Sequence, residues 1–342
     1  SQAETPLIPA VQISRASSLL IAEDERHSLA TEEVPDILAS QWLKERSFDT
    51  RDFVRLAATS RSVDGLADRR TITIDSNARR GGCVGANRAT MVHPLDAILF
   101  LSTPFQVIVE NEWFDGGFML WMAKGLGFTQ LLHAYHKHRF IFRHAGGKDS
   151  ISRSAKAFSE SVWPRPDRST HRAFREWMCV VLDNDARDPD DDPNRKLIED
   201  VQPHVSFVHQ LQGRSIESYL SEKNLLKIDT GNLFKQRVAA LYRMSPDQRR
   251  FYHMKRGFRF QRDSEPSKEN FLSSTHVTVG QKSLYGNICA NDWNLLMHGF
   301  GRSLSEIFVD PRKRPNTNEQ DLVSAEMRAE LLNLFRSIYE SM

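Results

Sequence analysis

The chain has 342 residues, of which 46 are basic and 44 acidic, giving a formal charge of +2; 40% are hydrophobic and 26% charged. Such a composition belongs to a globular chain long enough for one large or two smaller domains, and it excludes collagenous and disordered classes. Charge this balanced gives no global attraction to a polyanion, and no apolar run approaches the roughly 20 residues of a bilayer helix. No basic-then-apolar leader opens the chain, so a cytoplasmic location is expected. Cys83, Cys179 and Cys289 are widely separated and form no CxxC pair, which supports neither a disulfide framework nor a zinc knuckle.

Residues 1–30 are polar and lack periodicity, so a loosely held start is expected. From Val34 to Ala58 the spacing of Ile37, Leu38, Trp42, Leu43, Phe48, Phe53 and Leu56 predicts two short amphipathic helices. Arg70 to Ile74 alternates like a strand, and Arg79 to Gly85 is a glycine-rich loop without the closing Gly-Lys-Ser/Thr of a P-loop. Gln106 to Val109 reads as a strand ending on Glu110, and Trp113 to Leu126 as a helix. His138 to Arg143 alternates again and runs through Ala145-Gly-Gly-Lys148 into a helix over Ser150 to Ser161. Trp177 to Leu182 and Val205 to Val208 are two more apolar runs. Strands alternating with helices predict an α/β fold with a parallel sheet flanked by helices. Beyond it the chain reads as mainly helical, with a loop over Asp310 to Asn318 and a closing helix over Ala325 to Tyr339. The expected division is an N-terminal extension over 1–100, a core over 101–225 and a helical region over 226–342.

Three acidic features fall at or beyond predicted strand ends: Glu110, the pair Asp183 and Asp185, and Glu217. In open parallel sheets that edge is where ligands bind, because strand ends and helix starts converge there. Two carboxylates two residues apart repel unless a cation or donors neutralise them, and an all-oxygen set suits Mg²⁺ or Mn²⁺ rather than zinc. Held together, the four carboxylates could bind one or two metals and activate water against a phosphodiester. An EF-hand is excluded, since Arg187, Asp188 and Asn194 stand where its fifth ligand, turn glycine and closing glutamate belong. Asp188 to Asp192 reads as a solvated charge run. His133, His136 and His138 read as surface residues at the start of the second strand.

Val107-Ile-Val-Glu110, Val180-Val-Leu-Asp-Asn-Asp185 and Ser215-Ile-Glu-Ser-Tyr-Leu220 resemble, in order, the motifs of Toprim domains, most closely those of OLD-type (overcoming lysogenisation defect) nucleases. The resemblance implies a Toprim-like parallel sheet and a metal-dependent nuclease. Glu110 is then a metal ligand or general acid/base, Asp183 and Asp185 are the main ligands, and Glu217 holds a second metal or its water. Lys148 becomes a catalytic cation in its glycine-rich turn. The pattern departs after Glu110, where Asn111 replaces a glycine and Phe114 the expected acid. Asn111 tolerates the left-handed conformation of a glycine, and Glu112 or Asp115 is the candidate substitute for the missing acid.

Between Lys235 and Arg262, Arg237, Arg243, Arg249, Arg250, Lys255, Arg256 and Arg259 add basic charge, and Tyr242, Phe251, Tyr252, Phe258 and Phe260 are interleaved. The pattern predicts a nucleic-acid interface, with Arg249, Arg250, Lys255, Arg256 and Arg259 on the backbone and aromatic rings on the bases. Expected partners are therefore DNA or RNA, with room for a homodimer and no membrane. Because no Walker motif occurs, the ATPase often paired with OLD-like nucleases would be a separate subunit in an antiphage or mobile-element role. A glycosyltransferase using Asp-x-Asp and a non-catalytic Toprim-like interaction subunit are the alternatives.

Overall fold

A computed structural model describes residues 103–160, 172–229, 231–259, 267–310 and 324–342, with short stretches between 39 and 97. Those stretches include strands β1 (Ile72–Ile74), β2 (Cys83–Val84) and β3 (Thr90–Val92). β3 pairs parallel with β1 and antiparallel with β2, so part of the glycine-rich segment is a strand rather than a loop. The helices expected between Val34 and Ala58 lie outside the described residues except for one turn at Gln41–Lys44. Residues 1–30 and most of the loop after Asp310 lie outside them as well.

The main sheet contains β4 (Phe105–Val109), β5 (Phe140–His144), β6 (Met178–Leu182) and β7 (Phe207–Gln210). All neighbours are parallel and their order is β5-β4-β6-β7. The chain moves outward from β4 to β5 and then returns to β6 on the other side of β4. The β4/β6 boundary is therefore the switch point at which α/β sheets open a ligand crevice.

β4 and β6 are buried along their whole length because helices cover both faces. Phe105, Val107, Val109, Cys179 and Val181 enter one apolar cluster, while Ile108, Met178, Val180 and Leu182 enter the other. That alternation is the period-two geometry of a strand, and each fully buried aliphatic side chain contributes about 1.5–3 kcal/mol. α1 (Phe114–Gly125) and α2 (Thr129–His136) join β4 to β5 on the first face; Ile151 and Ala155 of α3 (Lys148–Glu160) pack on the second. α4 (Arg195–Val201) precedes β7. α2 is a helix the sequence reading did not predict: His133 and His136 lie on it, His138 follows it with φ 52°, and all three are exposed, as expected.

After β7 come α5 (Glu222–Ile228), α6 (Asn232–Arg243), α7 (Pro246–Phe251), α8 (Lys268–Ser273), α9 (Val279–Tyr285), α10 (Ala290–Leu296) and α11 (Ala325–Ser341). A 3-10 segment at Arg302–Phe308 packs on α1, as does α11. Leu241, Trp293, Phe308 and Phe335 share the cluster of Val107 and Phe118. The helical region therefore completes the first face of the sheet. None of the described helices is long and apolar enough to cross a membrane.

Candidate functional site

Glu110 follows β4 and Asp183 follows β6, so the switch point brings two motifs separated by 73 positions to one edge. Glu110 is exposed. Asn111 turns the chain into α1, its Oδ1 accepting from the backbone N–H groups of Trp113 (3.0 Å) and Phe114 (3.1 Å). The Asp115 carboxylate accepts from the Asn111 N–H at 2.8 Å, closing a reciprocal cap. Asn111 is not among the described positive-φ residues, so the left-handed expectation is corrected: it works as a helix cap instead of replacing glycine's freedom. Glu112 faces solvent, and Asp115 is the acid that meets the crevice.

Burial pushes Asp115 up to about 6, helped by the Glu110 and Glu217 charges and opposed by the Asn111 N–H and Lys255. Burial also pushes the Asp183 carboxyl well above the carboxylate range, reinforced by Asp115, Glu217 and Asp185, with Lys255 pulling the other way. These are the signs of acids held close without enough positive charge.

The Asp-x-Asp turn is fixed from three sides. Asn194 occupies the position before α4 but does not cap that helix. Its amide instead donates to the carbonyls of Asp183 (2.8 Å) and Asn184 (2.9 Å), while its Oδ1 accepts from Lys148 Nζ at 2.9 Å. Asn184 donates to the Gln212 carbonyl and accepts from the Gln210 amide. The Asp185 N–H donates to the Arg214 carbonyl at 2.8 Å, with Asp185 at φ 56°, a conformation in which Asp is several-fold enriched.

Lys148 opens α3 after Gly146 and Gly147, whose φ values of 79° and 100° favour glycine. Its ammonium ion-pairs with Asp185, so it is part of the site and not an exposed turn lysine. Glu217 lies in a 3-10 turn (Ile216–Tyr219) and is fully buried. Its Oε1 accepts from Ser305 (2.7 Å) and pairs with Lys255 (2.9 Å), and its Oε2 accepts from Ser215 (2.7 Å). Asp185 and Glu217 therefore each carry a lysine, whereas Asp115 and Asp183 form the under-compensated centre. Among the described residues, no group of three His, Cys, Asp or Glu side chains stands in metal-holding geometry.

Asp188 corrects another expectation. It is buried, accepts from the Thr278 hydroxyl at the start of α9, and lies where a Cβ on Gly280 would meet its carboxylate at 2.5 Å. Asp188 is thus docked onto the helical region, while Asp190 and Asp192 are exposed, as expected of a solvated run.

The basic stretch divides. Lys255 enters the crevice. Arg249 donates to the Met244 carbonyl and stacks 5.0 Å over Tyr242, while Arg250 donates to the Gln212 carbonyl. Arg243 pairs with Asp292 and Arg237 binds the Gly299 carbonyl. Arg256 is exposed and Arg259 partly so. The expected base-stacking surface is corrected: Phe251, Tyr252 and Phe258 are buried, and Phe258 stacks on Trp293 at 3.9 Å. Phe260 and Arg262 lie outside the described residues.

The site roles of Asn194, Ser215 and Ser305 escaped the sequence reading. Asn194 carried one signal, a cap-type residue before a helix, whereas Ser305 had none because its partner lies 88 positions away. Comparison with family models, curated proteins and solved structures gives no match, so the Toprim and OLD resemblance rests on its three motifs.

Proposed function

We propose that the chain is a divalent-metal-dependent nuclease acting on DNA or RNA in the cytoplasm. The observation that carries this reading is the under-compensated pair Asp115 and Asp183 at the sheet's switch point, flanked by Lys148 and Lys255. Two acids that burial and mutual repulsion destabilise as anions suit a hard oxygen-seeking cation, and Asp115 and Asp183 would hold it, with Glu110 beside Asp115 as the further carboxylate. Mg²⁺ or Mn²⁺ supplies Lewis acidity and an acidified water when bound.

The chain's own residues position the substrate. Lys148 and Lys255 place ammonium groups on either side of the acids, where they attract the scissile phosphate. Asn194 and Asn184 fix the Asp-x-Asp backbone so that the Asp183 carboxylate keeps its direction. Glu217 anchors Lys255 through a buried pair and takes hydroxyl donors on both oxygens, which makes it a positioning residue in this arrangement. Arg256, which is exposed, would meet the flanking backbone.

The test is a cleavage assay on labelled single- and double-stranded DNA and RNA over a Mg²⁺ and Mn²⁺ titration, with a chelator control. Metal-dependent cleavage that disappears in Asp183→Asn supports the reading. Turnover of a nucleotide sugar without cleavage favours a glycosyltransferase, and neither activity nor metal binding favours an interaction subunit. A separate ATPase and a second copy of the chain remain proposed partners, tested by co-purification with native flanking proteins and by light scattering.

A further inference from the structure

A cavity of about 420 Å³ opens beside the turn that carries Glu217, between that turn, the α6/α7 junction and the start of α11. Leu241, Met254 and Met327 give it an apolar floor. Arg249, Arg250 and Lys223 bring positive charge to its walls, and Glu222, Asp247 and Glu326 bring carboxylates. Its volume falls within the range of small-ligand sites, and an apolar floor with a few convergent polar groups is their usual make-up.

Three chemistries thus meet in one cavity: an apolar lining, two arginines and carboxylate acceptors. We propose that this cavity is a binding site for a nucleoside 5′-phosphate, separate from the carboxylate crevice. The base lies on Met254 and Met327, the phosphate meets Arg249 and Arg250, and a ribose hydroxyl donates to Glu326. Guanidinium groups suit phosphate because their forked N–H donors match its oxygens. Arg249 is already oriented by Tyr242 and the Met244 carbonyl, and Arg250 by the Gln212 carbonyl, so less side-chain entropy is lost on binding.

The cavity also has a physical link to the crevice. The Gln212 carbonyl accepts from Arg250 Nε at 2.9 Å and from Asn184 Nδ2 at 3.2 Å, and Asn184 stands between Asp183 and Asp185. The Arg250 carbonyl accepts from the Arg214 N–H, and the Arg214 carbonyl accepts from the Asp185 N–H. A ligand that draws Arg250 toward its phosphate therefore acts on the Asp-x-Asp turn through two hydrogen-bonded routes. The site stands whether or not the chain cleaves nucleic acid, because its test reads binding.

Calorimetry with AMP, CMP, GMP and UMP, inorganic phosphate and a short 5′-phosphorylated oligonucleotide tests the proposal. At least one monophosphate should bind at least about tenfold tighter than inorganic phosphate, since the floor and carboxylates add contacts that phosphate alone lacks. Preference for the oligonucleotide over every mononucleotide assigns the same site to a strand end instead of a free nucleotide. Arg249→Ala should weaken binding about tenfold or more, and Met327→Trp, which fills the floor, should do the same with Arg249 in place. Asp183→Asn should bind as the wild type does. Binding should slow hydrogen exchange at the Asp185 amide. Absence of binding at millimolar ligand, full affinity in both cavity variants, loss of affinity in Asp183→Asn, or unchanged exchange at Asp185 each overturns the proposal.

Discussion

At Asp183 the cost of holding an acid among acids can be separated from its use. Asp183→Asn keeps the shape but removes one of the repelling charges, so the metal-free protein should melt at the same temperature or higher. Cleavage should fall at least about a hundredfold, because metal-assisted charge stabilisation is worth several kcal/mol and each 1.36 kcal/mol is tenfold in rate. Calorimetric melting beside the cleavage assay checks both; a large loss of stability contradicts the repulsion argument. Glu217 behaves differently, because its charge is compensated. Lys255→Met leaves a buried carboxylate with, among the described residues, the Ser215 and Ser305 hydroxyls as donors and should cost about 3 kcal/mol, the low end for a buried pair losing one member. Urea unfolding of the variant measures that loss directly. His253 gives a pH dependence: burial and the neighbouring charges of Arg214, Arg256 and Lys255 hold its imidazole down to about 3. An unfolded histidine takes a proton near 6.5, so the stability due to its neutrality is complete above that pH and drains as pH falls toward 3. The difference in melting temperature between wild type and His253→Gln should therefore change in the variant's favour between pH 7.5 and 4.5, and a constant difference would remove His253 from the account.

Elements meet at the site through close approaches that local pattern does not reveal. Alternation and apolar runs showed where β4, β6 and the last helix lie, because strand and helix periods are local properties. The acids at the ends of β4 and β6 were legible for the same reason. The short α2 was missed, since eight residues with histidines near its end break no pattern strongly. Ser305 and Thr278 were also illegible, because long-range pairing depends on packing between elements and not on spacing along one. The contact between α1 and the 3-10 segment shows that dependence. A Cβ on Gly117 would lie 2.6 Å from Val309 Cγ1 and 2.9 Å from the Phe308 carbonyl oxygen, and backbone cannot rotate out of the way. Gly117→Ala must separate α1 from the segment that delivers Ser305 to Glu217. Overpacking of this kind costs about 1–3 kcal/mol. The variant should unfold at lower urea and lose cleavage more steeply than its stability loss explains; unchanged stability would mean that the two elements are not in register as described.

Across the whole molecule, apolar packing crosses position 226, where the helical region is expected to begin. One apolar cluster runs from Phe105 and Val107 in the sheet through Leu241, Trp293 and Phe308 to Phe335 and Ile338 in α11. Polar ties follow the same course. Glu330 of α11 accepts from the Gln212 N–H (2.7 Å) and the Tyr219 hydroxyl (2.6 Å), and lies 3.1 Å from His209 Nε2. The last helix thereby closes over the end of β7 and the turn that carries Glu217. A fragment ending at Asp229 would keep α1 and α2 on the sheet but would uncover the sides of Phe118, Met122 and Tyr219 that pack in the shared cluster. At about 25 cal/mol per Å² of apolar surface, uncovering side chains of this size outweighs the ordinary margin of a few kcal/mol on which a domain survives. The full chain should unfold in a single calorimetric transition over its described regions, and the fragment 101–229 should lack a cooperative transition. A fragment that melts cooperatively with intact β-sheet circular dichroism would show instead that the sheet is a domain of its own, with the helical region docked on it and not required by it.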